Sequence, residues 1–351
     1  MRVEAVLREV ALPDVPAMAG RLDEAGVDVI ADVETTRDPL LTLMAAAPAV
    51  RRAELATAIT VAFPRTPMVL AVQARMLADH TGGRFRLGLG SQVRRHVEDR
   101  FGASWSSPGP RMRDYVRALR AIWSSWATGA PLDHEGPFFR HTLMTPGYVP
   151  DSSHAHIPVD LAAVGPYNLR TAATLCDGVR LHAFCTRDYA AEVVLPVLRE
   201  AAASAGRTVL TAAGAGENGG DTPSDVRVYG GGSVATGADA DELHAAREYV
   251  RYRVAYYGST KAYLPVFAQH GLEHLGHELR ALAKDGRWGE MAAKVDDDVL
   301  SLFCASGTYD DIAEAIATRF TGITDVVQIA APPATTDWKA FTKAIATIHA
   351  L

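Results

Sequence analysis

Between residues 54 and 101 the chain alternates short apolar runs with segments of helical spacing, and no other feature constrains the fold as much. LATAITVAF is a β-branched run of strand length. PMVLAVQARMLADH spaces its apolar residues as a helix does. TGG stops that helix, FRLGLG is a second apolar run broken by glycines, and HVEDRF starts a polar helix. Strand and helix in turn predict parallel βαβ units. Carried along the chain, the alternation gives eight strands, at residues 2–7, 27–32, 55–61, 84–90, 156–163, 177–184, 225–235 and 324–330. Eight βα units predict an α/β protein with a (β/α)₈ barrel. A chain of 351 residues is ordinary for one such domain, here spanning 1–351. Insertions are expected after strands 4 and 7. The first carries a helix over 111–127 and a Gly-, Pro- and His-rich loop over 128–155, and the second carries several helices between 239 and 320. Residues 214–224 read as a flexible loop by composition.

Charge and cysteine usage exclude several functions. A net charge of −6 with no basic-aromatic stripe gives no footprint for nucleic acid or for an anionic membrane surface. Three cysteines at wide spacing form neither a disulfide framework nor a ligand pattern, which fits a reducing cytoplasm. The polar N-terminus MRVEAVLREVALPDVP does not resemble a signal peptide. No apolar run approaches the roughly 20 residues of a membrane span. The nucleophile elbow GxSxG and the phosphate loop GxxxxGK[ST] are both missing.

The wording AITVAFPRTPMVLAVQARMLADHTGGRFRLGLGSQ resembles the bacterial-luciferase-like oxidoreductases. It is most similar to the branch that uses the deazaflavin coenzyme F420, including the methylenetetrahydromethanopterin-reductase-like proteins. The resemblance runs over nearly the whole chain. It implies a luciferase-like barrel, a homodimer, and hydride transfer between the deazaflavin C5 and a small organic substrate. The alternative is an FMNH₂-dependent monooxygenase on the same barrel, which would bind FMN and use O₂. A third possibility is a barrel that binds without catalysing.

A barrel carries its chemistry at the C-terminal strand ends. After the second strand, Glu34 and Thr35 stand where relatives carry an acid-His pair, so the acid is kept and the His is not. Glu34 is the expected ring contact and a catalytic candidate, although Glu34 and Arg37 also suit a helix-capping role. In the third strand, Ala58–Ile59 falls where relatives have a bulge with a non-proline cis peptide that props the deazaflavin ring. Composition by itself favours an ordinary buried strand. In the fourth strand Gly88 and Gly90 would let a flat ring approach the backbone, Gln92 just after it is a further candidate cofactor contact, and Val93 stands where some relatives have an acidic Glu. His96 is the expected proton donor, or else a solvated helix residue beside Arg94 and Arg95.

The fifth strand ends at Ala163, and Val164, Gly165 and Pro166 open a helix. Free N–H groups at a helix start bind phosphate, and relatives hold the cofactor's phosphodiester at this turn. His182, after the sixth strand, faces either the barrel mouth or the helix layer. The glycines at 230–232 end or interrupt the seventh strand. Trp105, Phe138, Phe139 and Tyr148 lie on loops suited to cover a substrate. Thr308 is the expected cap of a late helix, with Asp311 in a capping-box-like place. Neither Asp296, Asp297 and Asp298 nor His270, His274 and His277 have convincing ligand geometry, so no metal is expected.

Overall fold

In the computed structural model, which describes residues 1–151, 156–212 and 225–351, eight parallel strands close into a barrel. They are β1 (Arg2–Val6), β2 (Val29–Asp32), β3 (Glu54–Thr57, resumed at Thr60–Val61), β4 (Phe85–Gly90), β5 (Val159–Ala163), β6 (Gly178–Leu181), β7 (Asp225–Gly230) and β8 (Val326–Ala330). The ring closes where β7 pairs with both β6 (Val228↔Val179) and β8 (Tyr229↔Val326), and β8 pairs with β1 (Val3↔Val327). The loop expected at 214–224 lies outside the described residues.

The layer around the barrel includes α1 (Val15–Glu24), α2 (Pro39–Ala46), α3 (Pro67–His80), α4 (Pro108–Thr128) and α5 (Pro166–Leu175). Local sequence sets where these helices begin. Asp38 accepts the N–H of Leu40 ahead of Pro39, and Thr66 accepts the N–H of Val69 ahead of Pro67. A polar cap followed by proline suits a helix start, because the proline N–H would be unsatisfied there anyway.

Strand alternation divides each strand between two environments. On β4, Phe85, Leu87 and Leu89 are fully buried in the apolar core, while Arg86 and Gly88 reach into the barrel. The barrel interior is charged. Arg180 donates to both oxygens of Glu4 (2.9 and 2.8 Å) and to Asp160 (3.1 Å), Arg86 donates to Asp160 (2.7 Å), and Gln328 donates to Glu4 (2.7 Å). The Tyr229 ring lies 4.3 Å from the Arg180 guanidinium. Space here is tight, since a Cβ on Gly88 would fall 1.9 Å from the carbonyl oxygen of Thr57.

Two expected strands are broken. The run over 55–61 is interrupted by a cis peptide between Ala58 and Ile59, and its second piece pairs with β4 (Thr60↔Leu89). The run over 225–235 leaves the barrel at three consecutive glycines, Gly230, Gly231 and Gly232, with φ of 70°, 88° and 157°. The next strand, Ser233–Gly237, pairs outside the barrel with Cys304–Thr308. Between these two strands lies the second insertion. Its long helix α6 (Ala240–Gly258) helps to form a separate apolar cluster that includes Phe184, Val254, Phe267, Leu279 and Phe303.

The expected cap at Thr308 moves to Asp311. Thr308 is the last residue of a strand and spends its hydroxyl on the Asp311 carboxylate (2.8 Å), and α7 (Ile312–Phe320) follows. Asp296 caps a helix by accepting the N–H of Val299, and Asp297 pairs with Arg247 and Arg251. His270 bonds the Thr186 hydroxyl at 2.8 Å. Among the described residues, no helix is long and apolar enough to cross a membrane.

Candidate active site

The mouth of the barrel is framed by the segments that follow the strands. After β2, Arg37 binds both carboxylate oxygens of Asp32 (2.9 and 3.0 Å) and the carbonyls of Leu7 and Val10, joining the ends of β1 and β2. Glu34 sits beside the β3 break. Its Oε2 accepts the N–H of Val61 (2.7 Å) and a guanidinium N–H of Arg65 (2.9 Å), and its own N–H donates to the Ile59 carbonyl (3.2 Å). Arg65 also reaches Asp38 (2.8 Å). The Glu34 carboxylate is thus already engaged in holding the backbone just after the cis peptide. The backbone carbonyl of Thr35 accepts from Arg100.

The Ile59 side chain lies against Gly90, where a Cβ would come within 2.7 Å of it. Beyond Gly90 the chain turns sharply. Gln92 has φ of 61°, a left-handed conformation costly for a residue with a side chain, and its amide oxygen caps the N–H of Val93 (3.0 Å). The expected polar helix is a short wide-pitched turn over His96–Arg100. His96 is half-buried in it, and its Nδ1 is buried without a hydrogen-bond partner.

At the end of β5, Ala163 is buried and Val164 is exposed. Gly165 stands at the N-cap of α5 with no side-chain cap and with open space around its Cβ position, and Pro166 follows. The N–H groups of the first turn of α5 therefore point outward uncapped, and the nearby Asn168 Oδ1 is buried without a partner. An uncapped helix start and orphaned polar atoms fit a bound group that carries a phosphate and a hydrogen-bonding ring.

His182 follows the parity of Arg180 into the mouth, which decides its orientation. It stacks on Tyr263 (4.7 Å) and meets the Tyr257 ring edge-on (4.3 Å). Burial first, then the charges of Arg253 and Arg8, push its pKa down to about 3. Its Nδ1 accepts the Phe184 N–H (2.9 Å), so the neutral ring carries its proton on Nε2. Of the loop aromatics, Trp105 packs on Phe63 (5.7 Å) and Phe139 on Tyr115 (5.2 Å), while Tyr148 is 80% exposed.

Sequence reasoning missed Arg65, Arg8, Arg253 and the inner charged layer. A signal existed for most of them: a lone arginine just past a strand end for Arg8 and Arg65, and a polar residue inside a largely apolar strand for Glu4, Arg86, Asp160, Arg180 and Gln328; none marks Arg253.

The model of the family described as "Luciferase-like monooxygenase" matches residues 3–325. The chain belongs to this luciferase-like family. It is 39% identical over 307 residues to an uncharacterized protein of Mycobacterium tuberculosis, Rv1360, covering 87% of this chain and 86% of that one. It is 29% identical over 284 residues to the 5,10-methylenetetrahydromethanopterin reductase of Archaeoglobus fulgidus, covering 79% of this chain and 76% of that protein. Its fold is similar to that of the coenzyme F420-dependent tetrahydromethanopterin reductase from Methanopyrus kandleri, with a TM-score of 0.74 at 18% identity over 100% of this chain and 98% of that chain. The luciferase-like family and these reductase relatives place the chain among oxidoreductases.

Proposed function

We propose that this luciferase-like protein is an F420-dependent oxidoreductase acting on a small organic substrate. The observation that carries this reading is the convergence on one rim of the Glu34-held β3 break, the buried unpartnered Nδ1 of His96, and the uncapped start of α5. The reductase relative from Archaeoglobus and the F420-dependent structural neighbour support the choice of cofactor.

The deazaflavin, when bound, supplies or accepts a hydride at its C5. Ala58, Ile59 and Gly90 form the apolar floor for the ring, with Thr35 and Gln92 at its edge. Ala163, Val164, Gly165 and Pro166 shape the turn whose following N–H groups receive the phosphate. His96 is the residue proposed to hold or pass a proton beside the ring, through the nitrogen that the fold leaves unpartnered. Glu34 acts by positioning, because its carboxylate is held by Val61 and Arg65. His182 borders the substrate side as a neutral donor. The buried thiols Cys176, Cys185 and Cys304 suit a reducing compartment.

We further propose a homodimer. Val69, Val72 and Met76 are 50, 41 and 57% exposed along α3, and Leu41 on α2 is 70% exposed, an apolar patch that a second copy would cover.

Parallel titration of the protein with F420 and FMN, followed by tryptophan fluorescence, tests the cofactor. Micromolar or tighter F420 binding with weak FMN binding is expected. The reverse preference transfers the protein to FMN-dependent oxygen chemistry, and binding of neither leaves a non-catalytic barrel.

A further inference from the structure

Arg8 and Arg253 stand apart from the arginines that tie the barrel together. Arg37, Arg65, Arg86 and Arg180 each bind at least one carboxylate. Arg8 and Arg253 have no acidic partner among the described residues. The hydrogen bond of Arg8 goes to the Tyr249 hydroxyl (3.0 Å), and its Nε is buried without a partner. Arg253 donates to the Tyr257 hydroxyl and lies over the Tyr257 ring at 4.8 Å and the Tyr249 ring at 5.8 Å. Both guanidiniums bear on His182, whose imidazole they help to keep neutral.

These side chains meet at the barrel mouth from three directions. Arg8 continues the inward parity of Glu4 beyond β1, His182 continues that of Arg180 beyond β6, and Tyr249, Arg253 and Tyr257 come from α6 of the second insertion. Their free hydrogen-bonding capacity is that of donors. Each guanidinium keeps unused N–H groups. Each phenol accepts from an arginine and so retains its own proton to give. His182 has spent its acceptor nitrogen on Phe184 and presents Nε2–H. Two uncompensated positive charges surrounded by donors match an oxyanion and mismatch a neutral or cationic group.

We propose that Arg8 and Arg253, with Tyr249, Tyr257 and His182, form the substrate's anion subsite, so that the substrate carries a carboxylate or a phosphate. This rests on the oxidoreductase function proposed above. It goes beyond it by naming the class of substrate and by placing the selecting residues at the junction of the barrel and the second insertion.

The test uses cofactor-free protein at constant ionic strength, titrated calorimetrically with inorganic phosphate and, separately, with benzoate. Wild type is expected to bind at least one of the two saturably. Arg8→Met and Arg253→Met should each weaken that binding by at least tenfold, and Arg8→Lys should weaken it less than Arg8→Met. Thermal unfolding without ligand identifies any variant that fails to fold, and Arg8→Lys against wild type then carries the comparison. The affinity for F420, measured by fluorescence on the same variants, should stay within twofold of wild type. Non-saturable binding by wild type, or equal anion binding by all variants, overturns the proposal. So does an F420 affinity that falls in parallel with that for the anion, because the anion would then be the cofactor's own. Failure of wild type to bind F420, with the anion site intact, overturns the cofactor assignment alone.

Discussion

Glu34 and Val61 are joined across the β3 break: the carboxylate Oε2 of Glu34 accepts the Val61 N–H at 2.7 Å, immediately after the cis peptide at Ala58–Ile59. Arg65 fixes the same oxygen from the other side, at 2.9 Å. One carboxylate thereby sets the path of the chain where the ring is proposed to rest. Glu34→Ala should lower stability by about 2–3 kcal/mol, since a buried N–H loses its acceptor and Arg65 keeps Asp38 as its one carboxylate partner among the described residues. It should also weaken F420 binding by about tenfold or more. Glu34→Gln retains an acceptor and should lose less of both. Urea unfolding and fluorescence titration measure the two effects, and an unchanged F420 affinity in Glu34→Ala would remove this contact from the cofactor seat.

Arg180 neutralises Glu4 and Asp160 inside the barrel. Arg180→Met would remove the cation that Glu4 and Asp160 share, leaving Asp160 to Arg86 and leaving Glu4, beside Gln328, without an ion-pair partner among the described residues. The expected cost is about 3–5 kcal/mol. Adding Glu4→Gln should recover part of it, which a double-mutant cycle in urea would show as non-additivity.

His182 makes stability depend on pH in a direction fixed by its depressed pKa. The folded imidazole titrates at about 3 against an ordinary 6.5, so the unfolded chain takes up its proton first as pH falls. The contribution is complete above pH 6.5 and is lost progressively on acidification, by roughly 2–3 kcal/mol between pH 7 and 4. His182→Phe keeps an aromatic ring on Tyr263 and removes the titration. It should be less stable at pH 7, because the Phe184 N–H loses its acceptor, yet its stability should fall less steeply below pH 6. Parallel slopes for the two proteins would refute this.

Met76 lies in the proposed dimer face with Val69 and Val72. Met76→Glu would place a charge in an apolar contact and should convert the dimer to a folded monomer, read by sedimentation equilibrium. A wild-type protein that is monomeric at high micromolar concentration would exclude the dimer.

Much of the barrel was legible in the sequence, because each strand is a short apolar run bounded by local signals. TGG marked the end of α3, and the apolar run FRLGLG marked β4. What stayed hidden depended on non-local partners. The glycines at 230–232 marked a break, yet nothing in their neighbourhood named Cys304–Thr308 as the strand that Ser233–Gly237 would join. The orientation of His182 needed a reference for strand parity, which only the Arg180 network supplies. Thr308 looked like a helix cap because capping residues and strand-ending residues share the same chemistry. The Glu34 carboxylate was read as facing a ligand, and its engagement by Val61 and Arg65 required the fold of the β3 break. The residues proposed to select the substrate were missed for the same reason: Arg8 and Arg253 are far apart in sequence and come together only at Tyr249 and His182 in the fold.

The departure of the chain at Gly232 and its return at Cys304 lie side by side, bound as a two-stranded ribbon from Ser233↔Cys304 to Gly237↔Thr308. Because the two strands run parallel, the segment between them leaves at Gly237 and returns at the other end of the ribbon, at Cys304, and it has its own apolar centre. Two of the donors at the mouth, Arg8 and His182, belong to the barrel, whereas Tyr249, Arg253 and Tyr257 belong to the inserted segment. Replacing residues 238–303 would therefore remove three of the five side chains of the proposed anion subsite while leaving the proposed cofactor seat in place.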